Sequence, residues 1–175
     1  MKKILVLIGS LSRKSSNLAV AEHVAGLCSN SYSFEFYDGI RHLPQFDPDL
    51  DRAAVPAEVR DLREAIVKAE LILICTPEYV FGVPGSLKNA LDWTVSTADL
   101  RGKPVGLIVA SLSGEKAFES LVKTLETLEA KLCDGCTLLI SHIKAKIDPD
   151  GKIAHEPTLN DLESFARSLM RCAGT

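Results

Sequence analysis

A chain of 175 residues, 46% of them hydrophobic, can close its own core without metal or cross-links, and one domain over 1–175 is expected. Its 20 basic and 23 acidic residues leave a net charge of −3, with no long basic run, which argues against a nucleic-acid surface or a polybasic membrane anchor. Five cysteines at irregular positions do not make the even framework of a secreted disulfide scaffold, so free thiols are expected.

Met1-Lys2-Lys3 followed by Ile4 to Ile8 has the start of a signal peptide. The apolar run stops at Gly9, however, and gives way to serines without a cleavage site. A first strand over 3–8 and a cytoplasmic location are therefore expected. Gly9-Ser10-Leu11-Ser12-Arg13-Lys14-Ser15-Ser16-Asn17 then leads into a helix over 17–28. The hydroxyls, the cations Arg13 and Lys14, Asn17 as a cap and the free N–H groups of a helix start together suit a phosphate monoester. Only one glycine is present, so neither a Walker loop nor a dinucleotide fingerprint fits. Read alone, the loop is equally consistent with a solvated capping turn.

Ser33 to Tyr37 alternates like an edge strand, and a long proline-containing loop from Asp38 to Pro56 follows, readable as a lid or an interface. Helix 56–70 carries Val59, Leu62, Ala65, Ile66 and Ala69 at spacings of three and four. The uninterrupted apolar run Leu71 to Cys75 predicts a strand buried on both faces. Thr76-Pro77-Glu78-Tyr79-Val80-Phe81-Gly82-Val83-Pro84 is then a stiff connection to a helix over 85–96. Tyr79 and Phe81 offer an aromatic wall to a planar ligand, with backbone N–H groups at 78–80 for its polar edge; taken singly, either aromatic also suits a core.

A central strand over 104–110 precedes Ser111-Leu112-Ser113-Gly114-Glu115-Lys116, which is either a third wall or a helix-capping turn. A helix over 116–132, an Asp-Gly turn at Cys133-Asp134-Gly135-Cys136, a strand over 137–141 and a helix over 158–172 complete the chain. His23, His42, His142 and His155 have no metal-ligand spacing and are expected to be structural or exposed. The β/α alternation predicts an α/β three-layer sandwich whose five-stranded parallel sheet has the order 2-1-3-4-5, with a crevice beside strands 1 and 3.

These segments resemble the NADPH-dependent FMN reductases of the flavodoxin-like superfamily, a group that includes bacterial quinone, chromate and azo reductases. The likeness runs from the first strand to about Lys131. It rests on Gly9-Ser10-Leu11 through Asn17, on Leu43-Pro44-Gln45-Phe46-Asp47-Pro48-Asp49-Leu50, and on Thr76-Pro77-Glu78-Tyr79 with Val83-Pro84-Gly85 through Leu87-Lys88-Asn89-Ala90-Leu91-Asp92-Trp93. The resemblance implies that FMN is the cofactor and NADPH or NADH the co-substrate, with a small-molecule electron acceptor.

It also implies that Ser10, Ser12, Arg13, Ser15, Ser16 and Asn17 serve the phosphate. Pro77, Glu78, Tyr79, Val80, Phe81, Ser111 and Gly114 would then surround the ring system, and Glu78 or Lys116 would tune flavin electronics. Three positions depart from the family pattern. Ser12 replaces a common arginine, with Arg13 one place later; Val80 and Phe81 stand where an asparagine and an aromatic are often found; and Ser113-Gly114-Glu115-Lys116 replaces a glycine-rich loop. The cofactor carries the chemistry in such enzymes, so no acid–base triad is needed. Homodimers or homotetramers are the implied assembly. The competing reading is an electron carrier without nicotinamide turnover, for which a net charge of −3 gives little steering field.

Overall fold

The computed structural model describes residues 2–12, 14–29 and 32–174. Strands β1 (Lys2–Ile8), β2 (Tyr32–Phe36), β3 (Leu71–Thr76), β4 (Pro104–Ala110) and β5 (Lys131–Ile140) form one sheet of order β2-β1-β3-β4-β5. Every neighbouring pair is parallel. The expected flavodoxin-like order is thus the observed one.

Helices α1 (Ser16–Cys28), α2 (Pro48–Ala53), α3 (Ala57–Lys68), α4 (Gly85–Asp92), α5 (Glu115–Thr127) and α6 (Glu156–Gly174) complete the regular structure. Alternate residues of the central strands point to opposite faces. Ile4, Val6, Leu71, Leu73 and Ile108 pack with Val20 and Val24 of α1 and Phe165 and Leu169 of α6. Leu5, Leu7, Ile72, Ile74 and Leu107 pack with Leu62 of α3, Leu87 of α4 and Leu121 of α5. The continuous apolar runs are explained by helices covering both faces of the sheet.

Two expectations change around β5. The helix expected over 116–132 stops at Thr127, and the strand expected from 137 already begins at Lys131. Cys133-Asp134-Gly135-Cys136 is therefore an irregularity inside a strand rather than a turn before one: the register with β4 shifts there, and Gly135 takes a left-handed φ of 71°. Cys133 is bonded to Cys172 of α6, 39 residues away, with Cα atoms 6.0 Å apart, so the expectation of five free thiols fails for this pair. Cys28, Cys75 and Cys136 are free and buried, and burial pushes the Cys136 thiol up to about 11.

The long segment 38–56 contains a 3-10 turn over Asp38–His42 and the short helix α2, and it is fastened to α3 and α4. The Asn89 side chain donates to the Pro44 carbonyl at 2.9 Å and accepts from the Phe46 N–H at 2.7 Å. Trp93, fully buried just past α4, donates to the same Pro44 carbonyl at 2.9 Å and meets Phe46 edge to face. Arg63 of α3 pairs with Asp51 at 2.6 Å. Helix α4 itself ends at Asp92, four residues earlier than the periodicity suggests, because the chain passes into successive turns over 93–102.

Candidate functional site

Four loops meet at the carboxyl edge of the sheet, around a cleft of about 580 Å³. The first follows β1. Gly9 donates to the Cys75 carbonyl at 2.9 Å, and a Cβ at this position would lie 2.0 Å from the Thr76 Oγ1. Glycine is what lets the first loop lie against the end of β3. Ser10 is buried, and its Oγ accepts from the Ser12 N–H and shares a 3.3 Å hydrogen bond with the Tyr79 hydroxyl.

Ser15, not Asn17, caps α1: the Ser15 Oγ accepts from the Asn17 N–H at 3.2 Å. Asn17 is buried and ties α1 inward, donating from Nδ2 to the Ala110 carbonyl at 3.1 Å and accepting from the Cys75 thiol. Ser10, Ser12, Lys14, Ser15, Ser16 and Asn17 all line the cleft, and Arg13 lies outside the described residues.

The second loop follows β3. Pro77, Glu78 and Tyr79 line the cleft. The Glu78 carboxylate is committed elsewhere, accepting from the Gly114 N–H at 3.2 Å and the Ala117 N–H at 2.9 Å. It supplies the cap that α5 lacks, since Gly114 stands at the helix start with a φ of 95° and no side chain. The Glu78 side chain thus joins the second loop to the start of α5, and Lys116 pairs on the surface with Glu119. Of the N–H groups expected for a ligand's polar edge, that of Glu78 goes to the Ser111 Oγ at 3.1 Å and that of Tyr79 to the Gly82 carbonyl at 2.9 Å.

Tyr79 and Gly82 bond each other in both directions across a two-residue hairpin whose tip is Val80 and Phe81, with φ of 49° and 56°. Turns with both tip residues left-handed favour Asn-Gly. A β-branched residue there is a genuine outlier, with a cost of order 1–3 kcal/mol. Val80 is 99% exposed and Phe81 78%, and neither lines the cleft.

The third loop brings Ser111 and Leu112 to the cleft, whereas Gly114 is turned to the Glu78 clamp. Both readings of this segment therefore hold, as wall and as helix start. The fourth loop, after β5, was not among the expected walls: His142, Ile143, Lys144 and Ala145 line the cleft. The His142 N–H donates to the Leu112 carbonyl, the Ile143 N–H to the Ser111 carbonyl and the Ser141 Oγ to the Ser113 carbonyl, so the third and fourth loops form one wall. Their place after a parallel strand on the same edge is the signal that would have found them.

Chemically, the cleft lining is of two kinds. Serine hydroxyls, the Lys14 ammonium and the start of α1 are donors to an anion. Pro77, Tyr79 and Leu112 give flat or apolar surface to a planar group. This donor set fits FMN, which joins one phosphate to a planar ring.

Comparison with known proteins agrees. Residues 2–145 match the family described as NADPH-dependent FMN reductase. A 2-hydroxy-1,4-benzoquinone reductase from Burkholderia sp. is 35% identical over 169 residues, covering 93% of this chain and 91% of the relative. A quinone reductase of Escherichia coli K12 is 32% identical over 167 residues, covering 91% and 89%. Among solved structures, the flavoenzyme NAD(P)H:(acceptor) oxidoreductase FerB from Paracoccus denitrificans superposes with a TM-score of 0.80 at 25% identity, over 99% of this chain and 98% of its own. The chain belongs to the NADPH-dependent FMN reductase family and is a nicotinamide-dependent flavin oxidoreductase that uses FMN.

Proposed function

We propose that the protein reduces quinone-type planar acceptors with NAD(P)H. The net change is transfer of one hydride, two electrons with one proton, from the nicotinamide, with one further proton from solvent, so that a quinone leaves as the hydroquinone and the nicotinamide as its oxidised form. The observation that carries this reading is the joint lining of the cleft, with anion donors at the α1 start and flat or apolar side chains at Pro77, Tyr79 and Leu112. The names of the two quinone-reducing relatives support the acceptor class. FMN, when bound, supplies the hydride relay between nicotinamide and acceptor.

The chain's own residues bind and orient. Ser10, Ser12, Ser15 and Ser16, with Lys14 and the α1 start, hold the phosphate. Asn17 acts one step back, fixing α1 against β3 and β4. Pro77, Tyr79 and Ser111 border the ring, and the Glu78 clamp holds their loop against α5. The domain spans 1–175 and works as a homodimer or homotetramer in the cytoplasm; among the described residues no helix is long and apolar enough to cross a membrane.

The test is steady-state oxidation of NADH and NADPH by flavin-loaded protein with menadione as acceptor. Turnover well above the acceptor-free rate is expected. A flavin-loaded protein that does not turn over with either nicotinamide is an electron carrier instead, and light scattering at the monomer mass would remove the oligomer.

A further inference from the structure

Four of the described side chains lining the cleft carry charge or can take it near neutral pH: Lys14, Glu78, His142 and Lys144. The Glu78 carboxylate is spent on the start of α5, and Lys14 stands among the serines of the first loop. His142 and Lys144 come from the loop after β5, which β3 and β4 separate from β1. The strands that carry the two lysines are therefore about 14 Å apart, three inter-strand spacings. Among the described residues, neither the His142 nor the Lys144 side chain has a hydrogen bond or an ion pair.

The backbone beneath them is held. The His142 and Ile143 N–H groups bond the third loop, and Ile143 is buried in the core. The Ala145 N–H donates back to the His142 carbonyl at 3.0 Å, and the Lys146 carbonyl accepts from the Ala154 N–H at 2.9 Å. Uncommitted cations on a fixed frame can grip an anion at a low ordering cost. Their sign also runs against the whole molecule. The chain has a net charge of −3, yet the cleft has two lysines and a histidine against one engaged carboxylate.

A nicotinamide-dependent flavin enzyme brings two phosphate-bearing molecules to one cleft. The serines, Lys14 and the α1 start suit the phosphate of FMN, which leaves the phosphates of the reductant to be met from another wall. We propose that Lys144, seconded by His142, binds phosphate of the nicotinamide dinucleotide, so that the fourth loop recognises the reductant. This rests on the NAD(P)H reading and on no particular acceptor.

The experiment mixes FMN-loaded protein rapidly with reductant under anaerobic conditions and follows bleaching of the flavin band, which gives Kd without an acceptor. The reductants are NADPH, NADH and reduced nicotinamide riboside, which has no phosphate. Lys144→Met is expected to raise Kd for a dinucleotide roughly tenfold, the order of one charge-assisted hydrogen bond, and Lys144→Arg to recover most of the loss. His142→Gln should raise it less. The limiting rate of bleaching should hold, and the riboside should bind wild type and variants alike. Equal losses for NADH and NADPH identify the pyrophosphate as the group bound, and a loss confined to NADPH identifies its 2′-phosphate. An unchanged Kd overturns the proposal, as does an equal loss for the riboside.

Fluorescence titration with FMN and riboflavin is the second readout. If Lys144→Met weakens FMN relative to riboflavin, the lysine serves the cofactor phosphate and the proposal fails. It fails equally if light scattering shows a smaller assembly for the variant, which would make Lys144 a subunit contact. A wild type whose flavin is bleached by neither dinucleotide refutes the NAD(P)H reading and this assignment with it, an outcome distinct from an unchanged Kd.

Discussion

The loops after β1 and β3 face the same cleft and are built on opposite principles. Among the described residues, Ser12, Ser16 and Lys14 of the first loop have no side-chain hydrogen bond or ion pair, and all three line the cleft. In the second loop almost every polar group is already engaged: the Glu78 carboxylate with α5, the Glu78 N–H with Ser111, and the Tyr79 N–H with Gly82. One loop recognises through donors held in reserve, and the other through a shape that its internal hydrogen bonds fix. The contrast suits a ligand with a charged end and a flat end, because charge is met by donors and a plane by rigid surface.

The contrast can be broken in order of effect. Reducing Cys133–Cys172, which lies away from both loops, should lower unfolding free energy by about 4 kcal/mol for a loop of this length. The ratio of FMN to riboflavin affinity should not move; a change would mean that global stability alone tunes the site. Gly9→Ala should cost about 3 kcal/mol, since its methyl collides with Thr76, and should weaken FMN and riboflavin together. Denaturant melts and flavin fluorescence titrations measure both.

Glu78→Ala should cost about 2 kcal/mol by stripping two N–H groups of their carboxylate acceptor, with Glu78→Gln recovering part of it. If the second loop works by shape, its flavin losses will fall equally on FMN and riboflavin. Ser15→Ala should be mildest in stability, about 1 kcal/mol for a lost cap. It should nevertheless be the most selective, weakening FMN roughly tenfold relative to riboflavin, which has no phosphate. An equal loss for both flavins after Ser15→Ala would remove the distinction between the loops.

Much of this was legible in the residues. Uninterrupted apolar runs at Ile4 to Ile8 and Leu71 to Cys75 announce strands covered on both faces, and the order of five such strands follows from right-handed crossovers. The serine loop and the proline-bounded aromatic loop declare their place at the strand ends. What stayed hidden depends on distant partners or on backbone irregularity. Asp134-Gly135 has turn chemistry, and only pairing with β4 reveals that it bulges within β5. The Cys133–Cys172 bond joins residues with no local relation. The engagement of the Glu78 carboxylate stayed hidden because sequence shows its neighbours in the loop and not the start of α5. Asn17 has the composition of a cap, yet Ser15 takes that role because Asn17 is drawn inward by Ala110 and Cys75.

The Glu78 clamp has a mechanical corollary. It couples the base of a two-residue hairpin to a 13-residue helix whose Ala117, Leu121 and Leu125 are fully buried against the sheet. The mouth of the cleft is thereby moored to the hydrophobic core rather than left to its own loop, so a core substitution on that helix reaches the site through a carboxylate.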